Sequence, residues 1–198
     1  MTIASAGAAA PQLTSFDRFM IVVVILMSTI VIALDMSIAT IALPHMQGGL
    51  SATQDQVAWV MTSYLVSMAI MIAYTGWLAS QFGRKRLLVT ALTVFSIGAI
   101  LSGQASTLEE MILYRVIQGM AAAPVFPLAQ AIILDSFPRG RQGQVMALWG
   151  VGVMTAPVLG PMFGGWVTGA LDWRWVFYLG VPLGFTAALL ASTFIIDV

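Results

Sequence analysis

Two ionisable side chains lie deep inside long apolar stretches of this sequence, an acid at Asp35 and a base at Arg115. A charged side chain at the centre of a bilayer costs at least about 2.5–3.5 kcal/mol on insertion scales, so such residues usually mark functional sites. At helical rise, Asp35 lies about 24 Å beyond Phe19, and Arg115 lies about 7–8 Å beyond Glu110 at the opposite boundary. Across a hydrocarbon core about 30 Å thick, both charges reach one level, and we expect them to pair.

Two interpretations of this pair follow from its chemistry. It is either a structural ion pair that holds two helices in register, or a carboxylate that loads and unloads a proton beside a fixed positive charge. Arginine stays protonated in proteins, so the second interpretation makes Asp35 the proton carrier and Arg115 the group that biases it. Gln118 follows Arg115 by one turn on the same helix face, and we expect it to share these hydrogen bonds or to contact a substrate.

Small side chains recur at every fourth position of the fifth apolar stretch. The stripe consists of Gly152, Ala156, Gly160, Gly164 and Thr168. Such a stripe lets a second helix approach closely, which is compatible with ordinary tight packing or with a pliable surface between two bundles. Pro157 and Pro161 favour bends in the same stretch.

The polar loop after the second apolar stretch combines glycine with consecutive cations. Gly76 and Gly83 permit a tight reversal. Arg84, Lys85 and Arg86 follow and are expected to hold the loop at an anionic membrane surface. His45, placed by the proline before it just outside the first helix, is the sole histidine, so no metal site is predicted.

The composition requires a lipid environment for the elements that position these residues. The chain has 198 residues, of which 60% are hydrophobic and 8% are charged, with a mean hydropathy of +0.95. A soluble domain carries about 25% charged residues. The net charge of zero argues against a nucleic-acid partner, and the absence of cysteine excludes disulfides and thiol chemistry.

Six stretches have the length that a helix needs to cross a bilayer, about 20 residues. The sequence therefore predicts an all-α membrane protein, with a cytoplasmic tail at 1–18 and a six-transmembrane-helix bundle at 19–198. The predicted spans are 19–43, 57–79, 87–103, 111–137, 145–168 and 175–196.

The loop cations predict the orientation of these spans. Six of them fall on the side of the N-terminus and one on the other, which places the N-terminus in the cytoplasm. Gly76-Trp77 and Gly165-Trp166 end the second and fifth spans on opposite sides, as a three-plus-three inverted repeat would have them. The six are Arg18, Arg84, Lys85, Arg86, Arg139 and Arg141, and the one is Arg174.

Five segments together resemble the major facilitator superfamily, and within it the fourteen-helix drug:proton antiporter family of the EmrB/QacA type. Ser80 departs from the family loop, which usually has an acid there, and Gly180 stands where asparagine is common. The matching segments are 34–37 with 42–44, the loop 76–86, Arg115 with Gln118 and Gly119, Gly160-Pro161 with Gly164-Gly165, and 173–177 with 181–184.

The resemblance implies the N-terminal half of a bacterial inner-membrane exporter that exchanges protons for drugs or other amphipathic molecules by alternating access. Asp35 would take the proton, Arg115 would be its partner, and the loop 76–86 would gate the cytoplasmic side. The implied partners are the bilayer, a C-terminal half, a small amphipathic substrate and a periplasmic adaptor; the proton gradient replaces any cofactor. The implied packing surface towards the C-terminal half is Gly152, Ala156, Pro157, Gly160, Pro161, Gly164 and Gly165.

Two other classes of function compete with transport. A non-transporting membrane scaffold or regulatory fragment would use the same helices to bind partners. An intramembrane aspartyl hydrolase would need two neighbouring acids, but Asp135 is expected near the cytoplasmic end of the fourth span, far from Asp35. A serine hydrolase would need a histidine inside a helix, and His45 is not expected there.

Overall fold

The computed structural model describes residues 13–195, and this part of the chain is built from α-helices without a strand. Helices are expected for these apolar runs, because a helix satisfies its own backbone hydrogen bonds where lipid offers no partner. The helices are α1 Ser15–Gly49, α2 Gln54–Val57, α3 Trp59–Phe82, α4 Arg84–Gln104, α5 Leu108–Ala122, α6 Val125–Ser136, α7 Arg139–Ala170, α8 Trp175–Tyr178 and α9 Gly180–Phe194.

Among the described residues, six helical segments are long and apolar enough to cross a membrane, which confirms the predicted number of spans. The second span joins α2 to α3, the fourth joins α5 to α6, and the sixth joins α8 to α9. Spans one, two and four begin with a threonine whose hydroxyl caps the helix, namely Thr14, Thr53 and Thr107. These capping boxes set where each helix starts.

The first helix is longer than predicted at both ends. It begins at Ser15, inside the segment predicted as a tail; residues 1–12 of that tail lie outside the described residues. It then continues through Pro44 to Gly49, so the prediction that His45 lies outside the helix is wrong. Proline removes one intrahelical hydrogen bond, and a helix of 35 residues retains enough others to continue.

The fourth span, predicted as one helix over 111–137, is interrupted at Ala123 and Pro124. Pro124 has no N–H to donate to the carbonyl of Met120, and the helix resumes at Val125. The sixth span reaches Phe194, and the end predicted at residue 196 lies beyond the described part.

The first and fourth spans form the centre of the bundle. The first span packs against the fifth and sixth, the fourth packs against the second and third, and the third packs against the sixth. Two buried apolar clusters fill the interior, and in α1 one contains Ile32 while the other begins at Ile38. Asp35 lies between them, so the acid occupies the boundary between the two halves of the core.

The fifth and second spans are the least buried helices of the bundle. Both expose large apolar side chains along one face, as expected for surfaces covered by lipid or by further helices. On the fifth span these are Val151, Met154, Val158, Met162 and Trp166, and on the second they are Trp59, Val66, Ile70, Tyr74 and Trp77.

Candidate functional site

Asp35 of α1 and Arg115 of α5 form a buried ion pair at the centre of the bundle. Arg115 Nη1 donates to Asp35 Oδ2 at 2.7 Å. Arg115 is fully buried, whereas Asp35 retains 7% of its exposure. The prediction that Asp35 and Arg115 lie at one level and pair is therefore confirmed.

Gln118 extends the pair into a short polar network. Arg115 Nη1 also donates to Gln118 Oε1 at 3.2 Å, and Ser102 Oγ of α4 donates to the same oxygen at 2.9 Å. One amide oxygen thus fixes the guanidinium from its own helix and receives a second bond from the third span. Ser102 was not identified from the sequence, because a single serine in an apolar helix carries no depth or spacing signal.

Two aromatic rings enclose the guanidinium of Arg115. Its Cζ atom lies 4.2 Å from the ring centroid of Tyr64 on α3 and 5.6 Å from that of Phe177 on α8. Both distances fall within the range of cation–π attraction, which strengthens when the cation is removed from water. Arg115 Nη2 also approaches Met61 Sδ at 3.6 Å. With Asp35, three other spans, the first, second and sixth, therefore contact this side chain.

Some buried polar atoms of this network have no hydrogen-bond partner in the part of the chain that is described. They are Arg115 Nε, Gln118 Nε2 and the Tyr64 hydroxyl. Buried donors of this kind are costly, so the network is held by its charge pair and ring contacts rather than by complete hydrogen bonding.

A small cavity of about 120 Å³ opens beside Asp35. The first, fifth and sixth spans enclose it, and its wall is apolar apart from the carboxylate. Its lining consists of Leu34, Asp35, Ile38, Phe163, Val176, Leu179, Gly180 and Leu183. The acid thus faces Arg115 in one direction and an apolar space in another.

The small-residue stripe of the fifth span packs against the first span. A Cβ atom added at Gly152 would overlap Leu26, and one at Gly160 would overlap Ser37. At Gly164 it would lie 3.2 Å from Ile38 Cγ2. Close backbone approach is therefore the reason for these glycines.

The expectation that this stripe faces a missing half is wrong for its buried members. Ala156, Gly160 and Gly164 are buried inside the bundle, because a four-residue repeat places them all on the face that α1 covers. Pro157, Pro161 and Gly165 lie on exposed faces of the same helix. Despite both prolines, α7 runs unbroken for 32 residues.

The loop between α3 and α4 is a single residue, Gly83, with a φ of 81°. Only glycine adopts this conformation readily. The prediction of a loop over 76–86 is wrong, because Gly76 lies inside α3 and Arg84, Lys85 and Arg86 form the first turn of α4. Arg84 then forms an ion pair with Asp135 of α6, joining the third span to the fourth. Gly76 has open space around it.

The two acids considered for hydrolysis occupy separate ion pairs, Asp35 with Arg115 and Asp135 with Arg84. These two acids thus do not form an aspartyl dyad. Within residues 13–195, no group of His, Cys, Asp and Glu side chains is arranged to hold a metal ion.

Comparison with known proteins extends this picture. The family model of the Major Facilitator Superfamily matches residues 25–198. The Multidrug export protein EmrB of Haemophilus influenzae is 39% identical over 165 residues, which cover 83% of this chain and 32% of that protein. The Fatty acid resistance protein FarB of Neisseria gonorrhoeae is 38% identical over 155 residues, covering 78% of this chain and 31% of that protein.

Solved structures agree at the level of the fold. A crystal structure of a D-xylose–proton symporter superposes with a TM-score of 0.81 at 16% identity, covering 91% of this chain and 48% of that chain. The present chain spans about a third of the length of the curated relatives it matches.

Proposed function

The chain belongs to the Major Facilitator Superfamily, and we propose that it forms the N-terminal half of a proton-coupled exporter of drugs or other amphipathic small molecules. The pair of Asp35 and Arg115 carries this proposal, because among the residues that the structure describes it is the only buried ion pair. The names of two relatives, a multidrug export protein and a fatty acid resistance protein, support the direction and class of transport.

In the proposed mechanism Asp35 alternates between charged and neutral forms. As a carboxylate it holds Arg115 by a charge-assisted hydrogen bond, which is about twice as strong as a neutral one. Protonation removes that charge and loosens the tie between the first and fourth spans. If the charged and neutral forms of Asp35 favour different conformations of the protein, proton movement is coupled to alternating access.

The other partners follow from the same proposal. A C-terminal half would complete the transport path, the proton gradient would supply the driving force in place of a cofactor, and a periplasmic adaptor would receive the substrate. The cations in the first turns of α4 and α7 support an N-terminus in the cytoplasm, since positive charge near the ends of spans stays on that side. They are Arg84, Lys85, Arg86, Arg139 and Arg141.

Flux measurements in proteoliposomes test this function. The full-length exporter is reconstituted with a fluorescent lipophilic cation, and dye movement is recorded with and without an imposed pH gradient. We expect gradient-dependent dye transport and dye-driven proton movement. Dye transport that ignores the gradient would contradict proton coupling, and no transport of any amphipathic probe would favour the membrane scaffold instead.

A further inference from the structure

A second cavity opens between the second, third and fourth spans. Its volume is about 290 Å³, and its wall is apolar, with Met71, Leu87, Val94 and Met120 among the lining residues. Water needs two to four polar partners to occupy such a space, so this groove suits hydrocarbon. It exists because the second and third spans both pack on the fourth but make few contacts with each other.

The groove has a cation at one end. On α4 its lining residues run from Leu87 to Val94, a distance of about 10 Å along the helix. Arg86 precedes Thr90 by one turn, and both are exposed, as is Val94 one turn further on. Helical spacing therefore places the Arg86 guanidinium on the face of the groove, just beyond its end at the loop.

One cation at this end of α4, Arg86, has no acid beside it in the described chain. The helix begins with three cations, no acid in its first turn and no side-chain cap, although a helix N-terminus already carries partial positive charge. Asp135 pairs with Arg84 and offsets one of these charges. Arg86 has no ion pair within the described chain. An anionic group near Arg86 would balance its positive charge.

We propose that this groove binds one acyl chain of an anionic phospholipid whose phosphate lies against Arg86. The apolar wall selects the chain and the cation selects the headgroup, a combination that basic pockets between membrane helices provide. A zwitterionic lipid would offer the same chain, but its own positive charge would cancel the attraction. None of the residues that line this groove belongs to the hydrogen-bond network around Asp35.

Fluorescence quenching by labelled lipids tests the proposal on the native full-length protein. Residues 1–198 contain no cysteine, so the Ile97→Cys variant can be labelled with bimane at this position alone. Ile97 is exposed and lies one turn beyond Val94. Any cysteine elsewhere is replaced by serine. Quenching is compared for phosphatidylglycerol and phosphatidylcholine that carry the same doxyl-labelled chain, so label depth cancels in the ratio.

We expect phosphatidylglycerol to be preferred about fivefold at Ile97, as one surface cation would give. A bimane at Leu189→Cys, exposed on the sixth span, should show a ratio near one. Arg86→Gln should remove the preference at Ile97, whereas Arg141→Gln, which removes an exposed cation of the fifth span, should leave it.

A further variant separates the groove from general surface charge. Thr90→Phe fills the groove and keeps Arg86, so it should also abolish the preference. An unchanged preference in Thr90→Phe would mean surface attraction without an acyl-chain site and would overturn the proposal. Equal quenching by both lipids in the parent, or none because another helix covers the groove, would overturn it as well.

Discussion

Arg115 contacts more of the bundle than any depth argument implies, since an acid, an amide, two rings and a thioether surround one guanidinium. Asp35, Arg115 and Gln118 were predictable, because charge inside an apolar helix is rare and the third lies one turn from the second. Tyr64 and Phe177 were not, because aromatic residues are common in such helices. Which of them faces the centre depends on helix rotation, and tertiary packing decides that.

Replacing the proposed proton carrier should separate transport from folding. Asp35→Asn keeps an oxygen acceptor for Arg115 but cannot exchange a proton, so dye-driven proton movement should fall to the level of empty vesicles. Membrane yield and elution volume should stay close to the parent. Asp172→Asn, which alters an exposed acid beside Arg174, is the control and should transport normally. Proton exchange that persists in Asp35→Asn would remove Asp35 from the mechanism.

The ring of Tyr64 should matter and its hydroxyl should not. Tyr64→Phe keeps the contact with Arg115 and removes a buried hydroxyl without a described partner, so the melting temperature should be unchanged or higher. Tyr64→Leu loses the cation–π contact, worth about 0.5–2 kcal/mol, and should melt lower. The measurement is thermal unfolding in detergent; a strongly lowered melting temperature for Tyr64→Phe would show that the hydroxyl is bonded.

At the scale of the elements, the number of spans was predictable from hydropathy and the close packing of the fifth span from its glycines. The partner of that span was not. A stripe of small residues indicates that another helix packs closely against it, but it does not indicate which helix that is. In this bundle it is α1, at Leu26, Ser37 and Ile38. Helix ends also escaped prediction, because Pro44 suggested a stop that the surrounding hydrogen bonds override.

Two glycines of α7 provide a matched test of this packing. At Gly160, a Cβ would lie 2.5 Å from Ser37 Cβ, so Gly160→Ala forces the first and fifth spans apart. Overpacking of this kind costs about 1–3 kcal/mol. At Gly165 nothing lies within 4 Å, so Gly165→Ala should melt like the parent. Indistinguishable melting of both variants in detergent would argue against the helix contact.

At the scale of the whole molecule, the unequal burial of the six spans indicates where the remainder of an exporter would lie. Only 11% of the most apolar window of the fifth span is buried, against 50% for the first. Its exposed face, from Val151 to Trp166, is opposite the glycine stripe. This face, rather than the glycines, is the surface available to a second half.

A comparison of Met154 with Leu189 tests whether lipid or protein covers the exposed face of the fifth span. Met154 is 73% exposed and Leu189 is 68% exposed in this bundle. In the full-length protein, carbene photolabelling from the lipid phase should modify peptides around Leu189 several-fold more than those around Met154. Mass spectrometry of the digested protein gives the ratio. Equal labelling would place the fifth span at the lipid boundary.

The interruption of the fourth span at Ala123 and Pro124 divides one rod into two segments with different attachments. The segment α5 is fastened to Asp35 through Arg115, and the segment α6 is fastened to Arg84 through Asp135. Without an N–H at Pro124, the joint lacks one backbone hydrogen bond that a continuous helix would have. On the proposed mechanism, protonation of Asp35 would therefore release α5 alone, while the ion pair between Asp135 and Arg84 would still hold α6.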